Sequence, residues 1–568
     1  GTLDWSSINP DIFGSMIQAV TAGEDRSALG MHYTSVENIL KVLNPLFLDD
    51  LEERYEDAAG SVRKLEELHD HLAEIKIFDP ACGSGNFLIV AYKRLRALEH
   101  QILQRLVDLQ GGEAPLFADS KISLENFYGI EIDDFAHDIA KLSLWFAKHQ
   151  MNQEYDDLFG IERPLIPLTE TGAIHNTNAT RAAWTEICAS SDSAYLCGNP
   201  PYLGSKWQQP EHKADFAHYF NSSSQPKSLD YVSIWFLKAA DWLRGRSAAA
   251  FVATSSICQG QHVSLLWPHM YERGVEISFA HTSFLWTNAA RGNAGVTCVV
   301  VGIQRKRADR AETRKRLYTG ESRTLAANIN PYLVPSADNT VVVPSRDPIN
   351  GLPAMGQGSR ASDGGHLTMG EPEMRALLNE SPEARRFVFK FLGGREFINA
   401  IGRYCLWIED EDVQAAQATP GIARRLHAVS IDRRGGGVSA KAVADTPHRF
   451  GHRAFRKMPS VVVPRVSSQR RAYIPMGFLD SRSVASDKLF AAYVPDPWLF
   501  ALLISRFHMV WVEMVGGRLK NDFNYSNTVV YNTFPAPEQT AVSRATLTAT
   551  ALDIIAARER WPDRKSVV

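Results

Sequence analysis

The tetrapeptide Asn-Pro-Pro-Tyr at residues 199–202 constrains the fold of this 568-residue chain more than any other feature. It follows a strand-like apolar run at 194–198. Proline lacks an amide donor and restricts the residue before it, so two successive prolines end the strand in a stiff, extended turn. Such a turn holds the Asn199 side-chain oxygen and the Pro200 carbonyl as fixed acceptors beside an aromatic ring. This arrangement suits a planar amino group such as that of adenine, although a strand-ending turn with a buried tyrosine has the same sequence.

A turn of small residues marks a second candidate site. The apolar run at 75–78 leads into Asp-Pro-Ala-Cys-Gly-Ser-Gly at 79–85, and a helical pattern begins at about Asn86. Glycines allow a backbone to approach a ligand closely, and the first turn of a helix has unpaired amides. The Gly-x-Gly-x-x-Gly spacing of dinucleotide-binding loops is absent. The pattern predicts a ligand-binding loop of another kind, or a structural turn.

An acidic residue lies near the end of the next predicted strand, residues 127–132. A carboxylate at the position of Glu131 can accept hydrogen bonds from both hydroxyls of a ribose. Ligands of α/β sheets bind beyond the carboxyl ends of the strands. The glycine loop, the acid and the Asn-Pro-Pro-Tyr turn all fall at such ends, so together they predict one nucleotide-like ligand site.

The alternation of strand and helix patterns predicts an α/β fold with a mostly parallel sheet covered on both faces. The strand candidates are residues 75–78, 127–132, 194–197, 248–253 and 296–303, and the strongest helix candidate is 230–244. Residues 306–345 read as a connector. The predicted domains are an N-terminal helical segment at 1–72, an α/β domain at 73–345, a mixed α+β domain at 346–535 and a C-terminal helix at 536–568.

These motifs together resemble the amino-methyltransferases that use S-adenosylmethionine to methylate N6 of adenine in DNA. Residues 79–85 match the first motif of that family, Glu131 the acidic motif and residues 199–202 the catalytic motif. The segment Gly-Met-His-Tyr-Thr-Ser at 30–35 resembles the Tyr-Thr segment that closes over the methionine end of the cofactor. Their order resembles the gamma class, in which target recognition follows the catalytic domain.

The resemblance is closer to the MmeI-like type IIG restriction–modification enzymes, and it covers nearly the whole chain. The runs that carry it are residues 32–39, 198–205, 229–232, 255–260, 403–407, 518–526 and 531–535. Complete enzymes of that family have an N-terminal nuclease domain. This chain begins at Gly1, just ahead of the methyltransferase motifs, so a nuclease domain or subunit is expected to be missing from it.

The resemblance implies a Rossmann-like class I methyltransferase fold, S-adenosylmethionine as cofactor and a role for each motif. The catalytic residues would be Asn199, Pro200, Pro201 and Tyr202, with the tyrosine stacking on a flipped-out adenine. The residues implied to bind the cofactor are Tyr33, Thr34, Asp79, Ala81, Gly83, Gly85, Asn86, Phe87, Glu131, Ile132, Asn178 and Asn199.

The charge distribution favours double-stranded DNA as the partner of the C-terminal half, although a solvated basic face without a ligand has the same charge. The net charge is −3, but residues 391–480 contain 14 Lys and Arg against 8 Asp and Glu, a local excess of +6. Residues 432–437, Asp-Arg-Arg-Gly-Gly-Gly, read as a flexible basic loop or a solvated turn. The candidate DNA-binding residues are Phe284, Trp286, Arg465, Ser467, Arg470, Arg471, Lys520 and Asn521. Phe284 and Trp286 would form the wall opposite Tyr202, or belong to the core.

Composition excludes several other classes of protein. The six cysteines are scattered without any Cys-x-x-Cys pair, which argues against zinc sites and disulfide frameworks. No apolar run reaches the ~18 residues of a membrane span and no signal peptide opens the chain. We therefore expect a DNA-associated monomer in a bacterial or archaeal cytoplasm, without a metal.

Three alternatives remain open from the sequence. Protein glutamine methyltransferases use the same tetrapeptide, and RNA methyltransferases use close variants of it. A nuclease is indicated only by Glu74-Ile75-Lys76, half of a nuclease motif, which opens the strand that feeds the glycine loop. A non-catalytic DNA-specificity protein would be expected to have lost Asn199 or Gly83, and this chain has both.

Overall fold

The computed structural model describes residues 34–111, 120–160, 172–220, 228–286, 296–307, 314–494, 496–519 and 521–560. Two predicted site residues, Tyr33 and Lys520, lie outside this part of the chain. The chain divides into two compact units: one comprises residues up to 258 together with 262–341, and the other comprises 259–261 with 342 onward. None of the described helices is both long enough and apolar enough to cross a membrane.

The first unit is built on one large sheet. Its strands are β1 Lys76–Asp79, β2 Phe127–Glu131, β3 Ala173–Asn176, β4 Ala194–Gly198, β5 Ala248–Thr254, β6 Val275–Trp286, β7 Val296–Arg305, β8 Lys315–Thr319 and β9 Ser322–Ala326. Their order across the described sheet is β3-β2-β1-β4-β5-β7-β6-β8-β9. The strands from β3 to β5 pair in parallel, whereas β7 runs antiparallel to both of its neighbours. The predicted α/β fold with a mostly parallel sheet is confirmed.

Helices cover both faces of this sheet. They are α1 Val36–Leu43, α2 Asp49–Ala58, α3 Val62–Glu74, α4 Asn86–Leu109, α5 Asp134–Phe159, α6 Trp184–Ile187, α7 Pro210–Tyr219, α8 Ser233–Trp242 and α9 Gly260–Glu272, and one π-helical turn, Asn44–Leu48, joins α1 to α2. Successive residues of β1 point to opposite faces of the sheet, as in any strand, and therefore pack in different cores. Ile77 lies in the apolar cluster that contains Leu43 and Leu88, while the ring of Phe78 packs 5.6 Å from that of Trp184.

Four strands of this sheet were not predicted. Strands β3 and β6 went unrecognised, and the segment read as a connector, 306–345, contains β8 and β9. The β8–β9 hairpin is rich in charged residues, which hides its strand character. Lys315 is nevertheless only 7% exposed, because its ammonium donates to Glu276 Oε2 at 2.9 Å and to Asn328 Oδ1 at 2.7 Å. A buried, fully paired lysine cannot be recognised from local sequence.

The second unit has small sheets and short helices. Its strands are β10 Gly356–Gln357, β11 Thr368–Gly370, β12 Val388–Leu392, β13 Arg403–Leu406, β14 Ser460–Pro464, β15 Val466–Ser467, β16 Gly477–Leu479, β17 Ser483–Ala485, β18 Leu489–Ala492, β19 Gly517–Leu519 and β20 Asp522–Asn524. They form sheets with the orders β10-β18-β14-β16, β11-β13-β12-β17 and β15-β20-β19. Its helices are α10 Glu371–Glu380, α11 Gly394–Asn399, α12 Val413–Gln417, α13 Pro420–Gly435, α14 Val438–Lys441, α15 Trp498–Leu503, α16 Arg506–Val515 and α17 Ala541–Glu559. The mixed α+β composition predicted for this region is confirmed.

Arg433 corrects the interpretation of residues 432–437 as a basic loop or solvated turn. It belongs to the last turn of α13 and its side chain is fully buried. Its guanidinium donates to five backbone carbonyls, which belong to Ala361, Ser362, Val443, Thr446 and Arg449. The residue is therefore a structural centre of this unit and is not exposed to DNA.

Candidate functional site

The glycine loop between β1 and α4 depends on two residues in left-handed backbone conformations. Gly83 has φ +54° and Gly85 has φ +85°, and the amide of Gly85 donates to the Cys82 carbonyl at 2.8 Å. A Cβ atom at Gly83 would meet nothing within 4 Å, so the backbone is open on that side. Asn86 begins α4, and its Oδ1 accepts from Ser84 Oγ at 3.4 Å. The loop thus presents bare backbone at the N-terminus of a long helix.

Glu131, near the end of β2, is tied to this loop. Its Oε2 accepts from the amide of Gly83 at 2.9 Å, and its Oε1 accepts from the amides of Ile132 and Asp133, also at 2.9 Å. Burial raises the pKa of this carboxyl, and the three backbone donors oppose that rise. A carboxylate has about four lone-pair positions, so Oε2 can accept one further hydrogen bond.

Asp79 brings the end of β1 against the end of β4. Its side chain is 1% exposed, and burial raises its pKa to about 8, although a hydrogen bond from the Ala81 amide acts in the opposite direction. A Cβ atom at Gly198 would lie 2.5 Å from Asp79 Oδ1, so only glycine fits directly before the Asn-Pro-Pro-Tyr tetrapeptide. On α8, Trp235 Nε1 donates to the Pro80 carbonyl at 3.2 Å and fixes the entrance of the loop.

One polar side-chain atom of Asn199 is held by a hydrogen bond, and the other has no partner among the described residues. Its Nδ2 donates to Thr34 Oγ1 at 3.3 Å, and Thr34 is 4% exposed. This contact joins two motifs that are 165 residues apart in the sequence. Asn199 Oδ1 is buried and accepts no hydrogen bond from any described residue. An unpaired buried carbonyl costs about 1–3 kcal/mol, so this oxygen is a candidate acceptor for a ligand.

Tyr202 and Phe284 meet at Cys298 on the sheet. Tyr202 Oη lies 3.9 Å from Cys298 Sγ, and burial raises the pKa of the tyrosine. Phe284 of β6 is paired with Cys298 of β7, so their side chains lie on the same face of the sheet. Lys41 Nζ from α1 lies 5.5 Å from the centroid of the Phe284 ring. Of the two aromatic residues proposed as a wall, Phe284 lies near Tyr202, while the side chain of Trp286 lies outside the described part.

The chain beyond the tetrapeptide is anchored by residues to which sequence reasoning assigned no role. The amide of Leu203 donates to Asp230 Oδ1 at 2.9 Å, and its carbonyl accepts from the amide of Tyr231 at 3.1 Å. Gln208 Nε2 donates to the carbonyls of Leu203 and Leu229, both at 2.9 Å. The runs at 198–205 and 229–232 had marked this segment through their resemblance to family sequences, without a role for Asp230 or Gln208.

Two residues predicted to bind the cofactor have side chains that are engaged within the protein. Asn178 Oδ1 accepts from the amide and the hydroxyl of Thr180, at 2.9 and 2.7 Å, and its Nδ2 lies 3.4 Å from Asp215 Oδ1. Both lone pairs of that oxygen are occupied, so it has none left for the amino group of adenine. Phe87 is 3% exposed and packs in the core. Ile132, by contrast, is 60% exposed beside Glu131.

In the second unit the three-stranded sheet brings two predicted DNA-binding segments together. Strand β15 pairs antiparallel with β20, so the chain after Ser467 runs beside the turn between β19 and β20. The Gln469 amide donates to Asp522 Oδ1 at 3.2 Å, which fixes this approach. Arg470 and Asn521 are exposed there, and Arg471 is half-buried.

Two other DNA candidates in this unit have structural contacts. Ser467 is 2% exposed and pairs with Phe523 across β15 and β20. Arg465 Nη1 donates to the Asp487 carbonyl at 3.3 Å, and its guanidinium lies 5.7 Å from the centroid of the Phe490 ring. Both residues support the strand that leads to Arg470.

Family models match both parts of the chain. The DNA-methyltransferase domain of MmeI matches residues 55–319, and the target recognition domain of MmeI matches residues 336–538. The two matches leave only 16 residues between them. They confirm the predicted resemblance to MmeI-like enzymes.

Two similar proteins extend this result over nearly the whole chain. DNA methyltransferase A of Bacillus subtilis strain 168 is 43% identical over 563 residues, which are 98% of this chain and 63% of that protein. The solved structure of the Type IIL restriction–modification enzyme MmeI in complex with DNA is 36% identical. It superposes with a TM-score of 0.90 over 100% of this chain and 76% of that one. The predicted class I methyltransferase fold is thereby confirmed. The chain spans less than two thirds of the length of its Bacillus relative.

Proposed function

Because this chain belongs to the MmeI family of DNA methyltransferases with a target recognition domain, we propose that it methylates N6 of adenine at one short site in duplex DNA. The methyl donor is S-adenosylmethionine, and the natural setting is restriction–modification or defence against phage. One observation carries the choice of an amino group as acceptor: the buried Oδ1 of Asn199 has no partner among the described residues.

The residues present fit S-adenosylmethionine. The open backbone at Gly83 and the N-terminus of α4 suit the carboxylate of the methionine part, because helix N-termini attract anions. The remaining lone pair of Glu131 Oε2 suits a ribose hydroxyl, and the exposed Ile132 offers an apolar surface to the adenine ring. When bound, this group supplies a reactive methyl group on a sulfonium.

The tetrapeptide would make the adenine nitrogen a nucleophile. The lone pair of N6 is delocalised into the ring, so N6 reacts poorly as a planar group. Hydrogen bonds from its two N–H groups to Asn199 Oδ1 and to the Pro200 carbonyl favour a pyramidal nitrogen with a localised lone pair. Held in this way, the lone pair would point at the methyl group that the bound cofactor supplies, and N6 would release a proton to solvent once it is methylated. Alignment supplies most of the rate, and no general base is required before transfer.

A base inside a duplex is out of reach, so the target adenine must be flipped out. We propose that Tyr202 stacks on the flipped base and that Phe284 forms the opposite wall, since both contact the surroundings of Cys298. The surface at the end of β15, with Arg470, Arg471 and Asn521, would read or bind the duplex. Arginine suits guanine and phosphate, and asparagine suits adenine.

The test is expression of the 568-residue chain in a bacterial host without adenine methylation, followed by single-molecule sequencing of the host DNA. The expected result is N6-methyladenine in one short motif, and its absence in cells that express Asn199→Ala. Methylcytosine, methylated protein or RNA in place of DNA, or unmodified DNA despite bound cofactor would contradict the proposal.

A further inference from the structure

Trp207 is an exposed indole that follows the catalytic tetrapeptide by five residues. At 75% exposure it is the most exposed phenylalanine, tyrosine or tryptophan of the described part of the chain. Single apolar residues on a surface are ordinary, but a tryptophan gains more from burial than most side chains. The exposure of this indole close to the proposed reaction centre therefore indicates that it contacts a binding partner.

The loop that carries Trp207 is firmly anchored on both sides. The Trp207 amide donates to the Gly204 carbonyl at 2.8 Å, which closes a tight turn. The next residue, Gln208, is 8% exposed and holds the carbonyls of Leu203 and Leu229. A backbone fixed in this way presents the indole to solvent, so its exposure is not the result of a loose loop.

The surroundings of Trp207 favour nucleic acid over an apolar partner. Lys206 and Lys213 are both exposed, and together with the exposed Glu211 they give residues 206–213 a net charge of +1. The loop ends at Pro210, where α7 begins, so no second large apolar side chain accompanies the indole in this segment. An aromatic ring with basic neighbours is the combination that proteins use to stack on bases and bind phosphates.

We propose that Trp207 is a DNA-contact residue whose indole packs against the bases of the duplex next to the target adenine and stabilises the flipped-out state. This inference rests on the proposed function for its location and deepens it. Aromatic and apolar side chains that enter a duplex partly unstack it, and the contact compensates for the lost stacking. Anchoring of the loop at Leu203 ties this contact to the tetrapeptide that receives the base.

A fluorescence experiment tests the contact directly. The emission of the wild-type chain minus that of Trp207→Phe isolates the signal of Trp207. Sheared genomic DNA from a host without this modification contains every possible target, so the experiment works with any recognition sequence. We expect saturating DNA to quench the Trp207 signal and to protect it from acrylamide. An unchanged signal at saturating DNA would overturn the inference.

Kinetics test the role of the same contact. With that DNA as substrate, Trp207→Ala should raise the KM for DNA about tenfold or more, the usual effect of losing one stacked base, and Trp207→Phe should raise it less. Affinity for S-adenosylmethionine and the thermal unfolding temperature should stay unchanged. The matched control is Leu325→Ala, which truncates another exposed apolar residue (56%) in β9.

The outcomes separate this inference from the proposed function. If the wild-type chain methylates adenine but Trp207→Ala behaves like Leu325→Ala, the contact is wrong and the function stands. If DNA quenches Trp207 but no methyl group reaches adenine, the contact stands and the function is wrong. If the wild-type chain binds no duplex DNA, both are wrong.

Discussion

At the scale of single residues, the sequence patterns indicated which residues would carry the chemistry, but not the contacts that hold those residues in position. Asn199 was found because proline chemistry leaves few alternatives for such a turn. Its contact with Thr34 was invisible, since 165 residues separate the two positions. Asn178 stays a prediction, and its side-chain oxygen accepts from the hydroxyl of Thr180, a contact set by the local fold that the sequence does not show.

Replacement of Asn199 tests the central acceptor. Asn199→Ala should lower the methyl transfer rate by about 10²–10³-fold, the usual effect of removing one hydrogen-bonding group from a reacting centre. Cofactor affinity, measured by titration calorimetry, should change little, because the missing oxygen serves the incoming amine. Thr34→Val is the companion variant: it removes the acceptor that orients the Asn199 amide, so a smaller loss is expected. Equal losses of cofactor affinity and rate in Asn199→Ala would contradict this role.

Asp79 makes stability depend on pH. Its folded pKa is about 8, whereas an ordinary aspartate has 3.8, so the folded state retains a proton that the unfolded chain has lost. The associated stability is fully present below pH 3.8 and is lost as the pH rises through 8. Asp79→Asn lacks this titration. Its stability relative to the wild type should therefore rise between about pH 5 and 8, by about 1 kcal/mol per pH unit at most. Thermal unfolding of the wild type and of Asp79→Asn at about pH 5 and about pH 8 measures this change. A stability difference that stays the same at both pH values would refute the prediction.

At the scale of elements, five apolar strands of the large sheet were predictable, whereas β3, β6 and the charged β8–β9 hairpin were missed. The predicted strands at 75–78, 127–132, 194–197, 248–253 and 296–303 all exist, with ends shifted by a residue or two. Their runs are apolar because helices cover both faces of the sheet. The β8–β9 hairpin and the end of α13 were missed because each buries a cation whose partners come from distant segments.

Arg433 allows a clean test at this scale. Arg433→Lys removes the planar fork that serves five carbonyls, and one ammonium has only three donors. We expect the second unit to lose about 3–5 kcal/mol of stability, as for other broken buried ionic contacts. The neighbour Arg434 is the matched control, since its side chain is 70% exposed and Arg434→Lys should change stability by less than about 0.5 kcal/mol. Thermal unfolding compares the two, and similar melting temperatures would contradict the assignment.

At the scale of the whole molecule, the near-neutral net charge conceals a basic segment. Residues 391–480 carry an excess of +6 within a chain of −3, and the pairing of β15 with β20 brings a further candidate, Asn521, beside this segment. Sequence reasoning found the basic excess but could not assign its members. Arg433 is buried and structural, Arg465 is half-buried with contacts to the Asp487 carbonyl and the Phe490 ring, and Arg470 is exposed. Only tertiary burial separates such residues.

The salt dependence of DNA binding shows whether Arg470 contacts phosphate or recognises a base. Its exposure and its flexible stem favour phosphate, which most arginines near DNA contact. Arg470→Ala should then weaken DNA binding equally for all sequences, and the slope of log K against log salt should decrease by about 0.9. Arg375→Ala, another exposed arginine (71%), which pairs with Glu371 within α10, is the control and should leave the slope unchanged. Fluorescence anisotropy at several salt concentrations measures both. A full salt slope combined with relaxed preference at one base pair would instead assign Arg470 to base recognition.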